Sequence, residues 1–195
     1  MKIRSLGILG GIALLMLPGP AKAGSPGRPL SSLAGTYSVT AHGNFSICFG
    51  PPSFAVEVSC TSSGAVAFPI TEVDLGQGTR DKNGHACTTF TTTDSDLTPG
   101  TSPTQVGVGY DDETITSYDP TTQSGDQSYL FYSSSSGKCV GAKFVSSGTP
   151  VIVAFGTYHF VVSANGTRVD LIFTAFADSV GGLTDFAWAL TELQQ

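Results

Sequence analysis

The stretch Tyr158-His159-Phe160-Val161-Val162-Ser163-Ala164-Asn165-Gly166-Thr167-Arg168-Val169-Asp170-Leu171-Ile172-Phe173 decides the fold. Two runs rich in β-branched and aromatic residues flank an Asn-Gly pair, and Asn-Gly supplies the positive φ angles of a type I′ hairpin turn. A two-residue loop at Asn165-Gly166 places Val162 opposite Val169, Phe160 opposite Leu171 and Tyr158 opposite Phe173. That register gathers the apolar side chains on one face, and a slip of one residue would invert it. The other face carries Thr157, His159, Arg168, Asp170 and Thr174 with Phe155 and Ile172, so it is semi-polar.

The same texture runs outward in both directions. Ser and Thr are abundant, charges are sparse, and turn residues punctuate the chain at short intervals. A first hairpin is expected over residues 33–49, with a three-residue loop at His42-Gly43-Asn44 that aligns Tyr37, Val39 and Ala41 with Phe49, Ile47 and Phe45. Asp81-Lys82-Asn83-Gly84 reads as the turn between strands near 66–79 and 85–93. Further strands are expected near 105–110, 115–118, 128–133 and 138–145, and in 184–193 strict alternation puts Phe186, Trp188 and Leu190 on one face. Residues 50–53, with Pro51-Pro52, and 94–103 read as longer loops. Many short strands joined by turns predict an all-β fold. The expected architecture is an antiparallel up-and-down meander that closes into a barrel by pairing its first strand with its last. A β-sandwich is the alternative.

Residues 1–23 read as a signal peptide: Lys2 and Arg4 form a basic start, an apolar run follows, and Ala21-Lys22-Ala23 is a small-x-small cleavage site. Residues 24–32, rich in Gly, Pro and Ser, read as a flexible lead-in, and 33–195 as a single barrel domain. The expected location is therefore secreted or periplasmic. The charge agrees with that division. The chain has 9 Lys+Arg and 15 Asp+Glu, a net charge of −6; without Lys2, Arg4 and Lys22 the balance is 6 − 15 = −9. So acidic a chain is a poor partner for nucleic acid or an anionic membrane surface. No second apolar stretch of spanning length follows the leader, and a segment such as Thr88–Thr93, polar on both faces, lacks the apolar outer belt of an integral membrane barrel.

Four cysteines, an even number in an exported chain, predict two disulfides. The preferred pairing is Cys48–Cys60 and Cys87–Cys139, closing loops of 12 and 52 residues. Chain entropy assigns them about 3 and about 4 kcal/mol. No Cys-x-x-Cys pair is present, and only His85 lies near a cysteine, so no metal site is expected.

Leu33-Ala34-Gly35-Thr36-Tyr37 resembles the opening Leu-x-Gly-x-aromatic strand of calycin-type barrels, the lipocalin and avidin group, with Tyr37 in place of the usual Trp. The resemblance covers one strand. It implies a glycine that bends the strand as the barrel closes and an aromatic that packs across its end. The overall pattern is also similar to small exported bacterial β-proteins of unknown activity. Fold alone does not carry function.

Candidate chemistry is sparse. No serine lies in a Gly-x-Ser-x-Gly elbow, no His-Glu-x-x-His occurs, and no cofactor is expected. The hairpin register brings His159 near Asp170 and Arg168, which would handle protons or orient a ligand if that face lined an interior; otherwise they form a surface ion cluster. Asp111-Asp112-Glu113 reads as a solvated acidic turn, without the spacing of a calcium loop. Tyr129, Phe131 and Tyr132 are the aromatic candidates for a ligand surface. Asn44 and Asn165 head glycosylation sequons within expected turns. The reading is thus an exported barrel that binds an apolar or amphipathic small molecule without catalysis. The alternatives are a cyclase- or isomerase-type barrel enzyme, or a surface or matrix interaction protein without a pocket. A barrel filled by Tyr158, Phe160, Phe173 and Trp188 would favour the last.

Overall fold

A strand sends successive side chains to opposite faces. The computed structural model, which describes residues 27–96 and 105–195, turns that alternation into a closed antiparallel barrel. The leader at 1–23 and the loop residues 97–104 lie outside the described residues. Eight strands form the wall: β1 (Gly35–Phe49), β2 (Val66–Arg80), β3 (His85–Asp96), β4 (Gln105–Asp119), β5 (Ser124–Ser133), β8 (Ile152–Val162), β9 (Arg168–Asp178) and β10 (Leu183–Gln194). Between β5 and β8 the chain makes a separate hairpin, β6 (Gly137–Val140) and β7 (Lys143–Ser146). Wall neighbours follow chain order, and β1 pairs with β10, so the wall has no free edge.

The β8–β9 register is the expected one: Val162 faces Val169, Phe160 faces Leu171 and Tyr158 faces Phe173. The loop differs. Ser163 N donates to Arg168 O and Gly166 N to Ser163 O, so four residues, not two, make the connection. Only Gly166 has positive φ, +74°. Loops of two and four residues share one centre, which is why the pairing is the same. Beyond Tyr158 a bulge at Thr174 shifts the register, so that Phe176 points inward with Phe173.

Three other expectations need correction. There is no hairpin at His42-Gly43-Asn44: β1 runs straight through, with those residues paired to Val73, Glu72 and Thr71. Gly43 is there for close approach, since a Cβ would lie 2.3 Å from the Trp188 ring. Asp111-Asp112-Glu113 is no solvated turn but the middle of a continuous β4, with Asp111 and Glu113 inside the barrel at 3% exposure each. The single strand expected at 138–145 is the β6–β7 hairpin.

The two ends of the barrel differ. Where β1 begins, the wall strands are joined by short turns, and a 3-10 turn at Leu30–Leu33 inserts Leu33 into the end. The Tyr37 hydroxyl donates to the Leu33 carbonyl, and Val39, Phe160, Val162, Val169 and Leu171 fill the space behind. Residues 27–32, the described part of the expected flexible lead-in, dock across this end. Arg28 donates to the Asn165 carbonyl at 2.9 Å, and the Tyr118 hydroxyl donates to the Arg28 carbonyl at 2.9 Å.

Where β1 finishes, the long β1–β2 and β5–β8 connections lie beside a mouth. The two disulfides are Cys48–Cys60 and Cys87–Cys139, the expected pairs. The first holds the loop after β1; the second clamps the β6–β7 hairpin onto the outer face of β3. Two disulfides fit folding in an oxidising compartment. Among the described residues, no helix is long and apolar enough to cross a membrane.

Candidate functional site

An eight-stranded barrel is just wide enough for side chains to fill it or for one small ligand to enter. Here one half is filled and the other holds a cavity of about 230 Å³ that opens at the mouth. Between them lies a buried ionic network. Arg80, on β2, donates to Glu192 on β10 through both terminal nitrogens, at 2.8 and 3.0 Å. Its Nη2 also donates to Gln127 Oε1 at 2.9 Å and to Glu113 Oε2 at 3.3 Å. Gln127 and Thr88 donate to Glu113 in turn, and the guanidinium lies 5.4 Å from the Tyr37 ring centroid. Burial disfavours the Arg80 charge, but Glu192 and Glu113 outweigh it and hold the guanidinium above its ordinary range. Burial and the neighbouring Glu192 push Glu113 up to about 7, against the pull of Arg80.

The cavity above this network has two chemically different walls. Alternation on β2, β3 and β4 sends Glu72, Asp74, Asp94 and Asp111 into it. Alternation on β1, β9 and β10 sends Phe45, Phe173, Phe176, Phe186 and Trp188 to the other side. The aromatic wall is itself packed: Phe173 lies 4.9 Å from Phe186, Phe176 stacks on Phe186 at 4.1 Å, and Phe45 lies 6.0 Å from Trp188. The β9–β10 ladder runs only over Arg168–Ile172 and Ala189–Leu193.

The acidic wall is short of partners. Asp74 Oδ1, Asp94 Oδ1, Asp111 Oδ1 and the Tyr129 hydroxyl are buried without a hydrogen-bond partner within the protein. Tyr158 donates weakly to the other Asp111 oxygen, at 3.4 Å. No Lys, Arg or His lines the cavity among the described residues. Burial, then the charge of Asp74, pushes Glu72 up to about 10; burial lifts Asp74 to about 6. Asp111 stands well above the usual carboxylate range, through burial first and the charges of Glu113 and Asp74 next. At the rim Asp178 is already committed: it accepts backbone N–H bonds from Val180, Gly181 and Gly182.

The residues singled out from sequence fall into two groups. Tyr129 and Phe131 line the cavity. Tyr132 does not: it points out of the wall and stacks on Phe144 at 4.1 Å, beneath the β6–β7 hairpin. His159 and Asp170 lie on one outer face but do not meet. His159 Nδ1 pairs with Asp126 Oδ1 at 3.0 Å, both half exposed. Asp170 accepts from Arg168 Nε at 2.9 Å and from Thr191 at 2.9 Å. They form two separate exposed surface pairs, His159 with Asp126 and Arg168 with Asp170, which contribute little to stability. Part of the chain's acidity is thus interior, at Glu72, Asp74, Asp94, Asp111, Glu113 and Glu192. One signal in the sequence pointed there: residues 105–118 hold no Pro or Asn that would build a turn around the acidic triplet.

No protein-family model matches this chain, and no curated protein or solved structure matches it.

Proposed function

We propose that the protein is an exported, non-catalytic barrel that binds one small amphipathic molecule in its mouth. The observation that carries this reading is the half-open interior. The fold closes one end with Leu33, Phe160 and Leu171, yet leaves about 230 Å³ unfilled at the other, walled by aromatic rings. Well-packed interiors hold few voids larger than a water, so a cavity of this size beside polar groups is the usual form of a ligand site. Its volume lies below the roughly 300–1,000 Å³ of drug-sized sites and favours a small ligand over a long lipid. Export is supported by the basic start, apolar run and Ala21-Lys22-Ala23 of the leader, together with the two disulfides.

A cyclase-type barrel would need a proton-handling pair inside the cavity. His42 and His85 are exposed, and His159 lies on the outer face with Asp126, which favours binding over catalysis. An interaction protein without a pocket would be filled throughout, whereas Phe173 and Trp188 border open space.

Ala154 sits buried on the cavity wall and tests the reading. In amide NMR spectra, neutral 2-phenylethanol should shift resonances of the mouth residues and leave the closed end unmoved. Ala154→Phe, which fills the space, should abolish those shifts while the spectrum stays folded. Shifts scattered over the outer surface, or undiminished in Ala154→Phe, would overturn the assignment.

A further inference from the structure

We infer that the ligand is an organic cation, an ammonium group carried on an aromatic or alkyl body; this rests on the ligand-binding reading above. The division of the cavity carries the argument. Three adjacent strands, β2, β3 and β4, supply the carboxylates Glu72, Asp74, Asp94 and Asp111, and three others supply the rings, so the two kinds of wall face each other across the space. A molecule that matched both walls would be positive at one end and apolar at the other.

Three details make the acidic wall a site and not only an acidic cluster. Asp111 and Asp74 are 3% and 7% exposed, so water cannot readily stabilise their charges. One oxygen of each is unpartnered and borders the cavity. The nearest buried cation, Arg80, directs both terminal nitrogens to Glu192, Glu113 and Gln127 one layer deeper, and only its Nε lacks a partner. An ammonium has three donors and no acceptor, which suits several carboxylate oxygens and no competing base. The raised carboxyl pKa values at Asp111 and Asp74 agree with a pocket that lacks its counter-charge.

The rings opposite would receive the rest of the ligand. Trp188 and Phe186 border the space, and a cation near a ring face gains further attraction. A metal ion is the rival occupant for clustered carboxylates, but among the described residues no three His, Cys, Asp or Glu side chains are placed to hold one. The net negative charge, 6 − 15 = −9 without the leader, would also favour the approach of cations.

Trp188 is the chain's only tryptophan and borders the cavity, so its emission reports occupancy. The full-length oxidised protein is titrated with 2-phenylethylamine, 2-phenylethanol and 3-phenylpropanoate, which share a ring and differ in charge. The amine should bind at least about tenfold more tightly than the alcohol, as expected for hydrogen bonds to charged groups, and the carboxylate should be weakest. The double variant Asp74→Asn, Asp111→Asn should lose that preference while keeping the alcohol. Wild-type selectivity stands as evidence by itself should the variant fail to fold. Equal binding of alcohol and amine would overturn the cation inference and leave the pocket standing. No response to any of the three would overturn both. Calcium chloride that displaces the amine at equal concentration would reassign the carboxylates to a metal ion and overturn it as well.

Discussion

At the layer below the cavity, one buried cation meets two carboxylates and a carboxamide; on the acidic wall of the cavity, Glu72, Asp74, Asp94 and Asp111 meet no cation. Both sets lie inside one barrel, on overlapping strands, and both are largely shielded from water. They differ in what the fold supplies around them. Arg80 has donors aimed at Glu192, Glu113 and Gln127, so the cost of burying those groups is offset by close geometry. Asp111 has one long hydrogen bond and one orphaned oxygen. The first arrangement serves the folded state; the second leaves that state with unmet charge, as functional sites do.

The largest test of this contrast removes a charge from each set. Arg80→Met should lower stability by about 3–5 kcal/mol, because Glu192 and Glu113 are left buried without a partner. Asp111→Asn should be neutral or stabilising, since it replaces a buried carboxyl that has an unpartnered oxygen and no cation nearby. Urea denaturation midpoints at pH 8, where Glu113 and Asp74 are mostly ionised, read both. Similar losses from the two variants would break the comparison.

A smaller effect follows from pH. Glu72, Asp74 and Glu113 have folded-state pKa values of about 10, about 6 and about 7, above ordinary values of 4.5, 3.8 and 4.5. For a carboxyl raised in the folded state, the unfolded chain releases its proton first as pH rises. The stabilising contribution is complete below the ordinary value and is lost as pH climbs through the folded one. The melting temperature of the empty barrel should thus be highest near pH 4–5 and fall towards pH 8. Glu72→Gln, at the mouth, should flatten the upper part of that fall. A melting temperature that climbs between pH 5 and pH 8 would show that the acidic wall is already compensated.

How much of this was legible in the sequence also divides between the halves. The closed half is built from Val162, Val169, Phe160 and Leu171, whose alternation leaves one sensible register, and that register is the one found. The four-residue loop around Asn165-Gly166 keeps that register because it shares its centre with a two-residue one. The open half defeats pattern reading for physical reasons. In β1, Tyr37, Val39, Ala41, Phe45 and Ile47 are all odd-numbered, so a hairpin turning at Gly43 and a straight strand predict the same inward set. In β4, carboxylates at 111 and 113 look like solvent-facing residues, since buried unpaired acids are rare. Alternation alone would have split Asp112 from its neighbours. The rule that charges avoid interiors overrode it, and it fails where a cavity is built to receive an opposite charge.

The smallest effect tests whether the closed end is independent of the mouth. Gly166 has φ of +74° in the β8–β9 turn, and a Cβ there would lie 2.2 Å from Arg28 Cζ. Gly166→Ala should cost about 1 kcal/mol for the left-handed backbone and lower the melting temperature by about 2–4 °C. Two causes are mixed in that loss. Gly166→Asn separates them, because Asn tolerates left-handed φ but carries the same Cβ. If Asn restores stability, the backbone conformation was the cost. If it does not, the contact with Arg28 was, and with it the docking of residues 27–32. Either way the barrel wall between that turn and the cavity is continuous and packed, so Trp188 emission and its response to 2-phenylethylamine should be unchanged. A shift in that response would mean that the docked N-terminal segment and the mouth are coupled through the Arg80 network, and that the two halves of the barrel do not act separately.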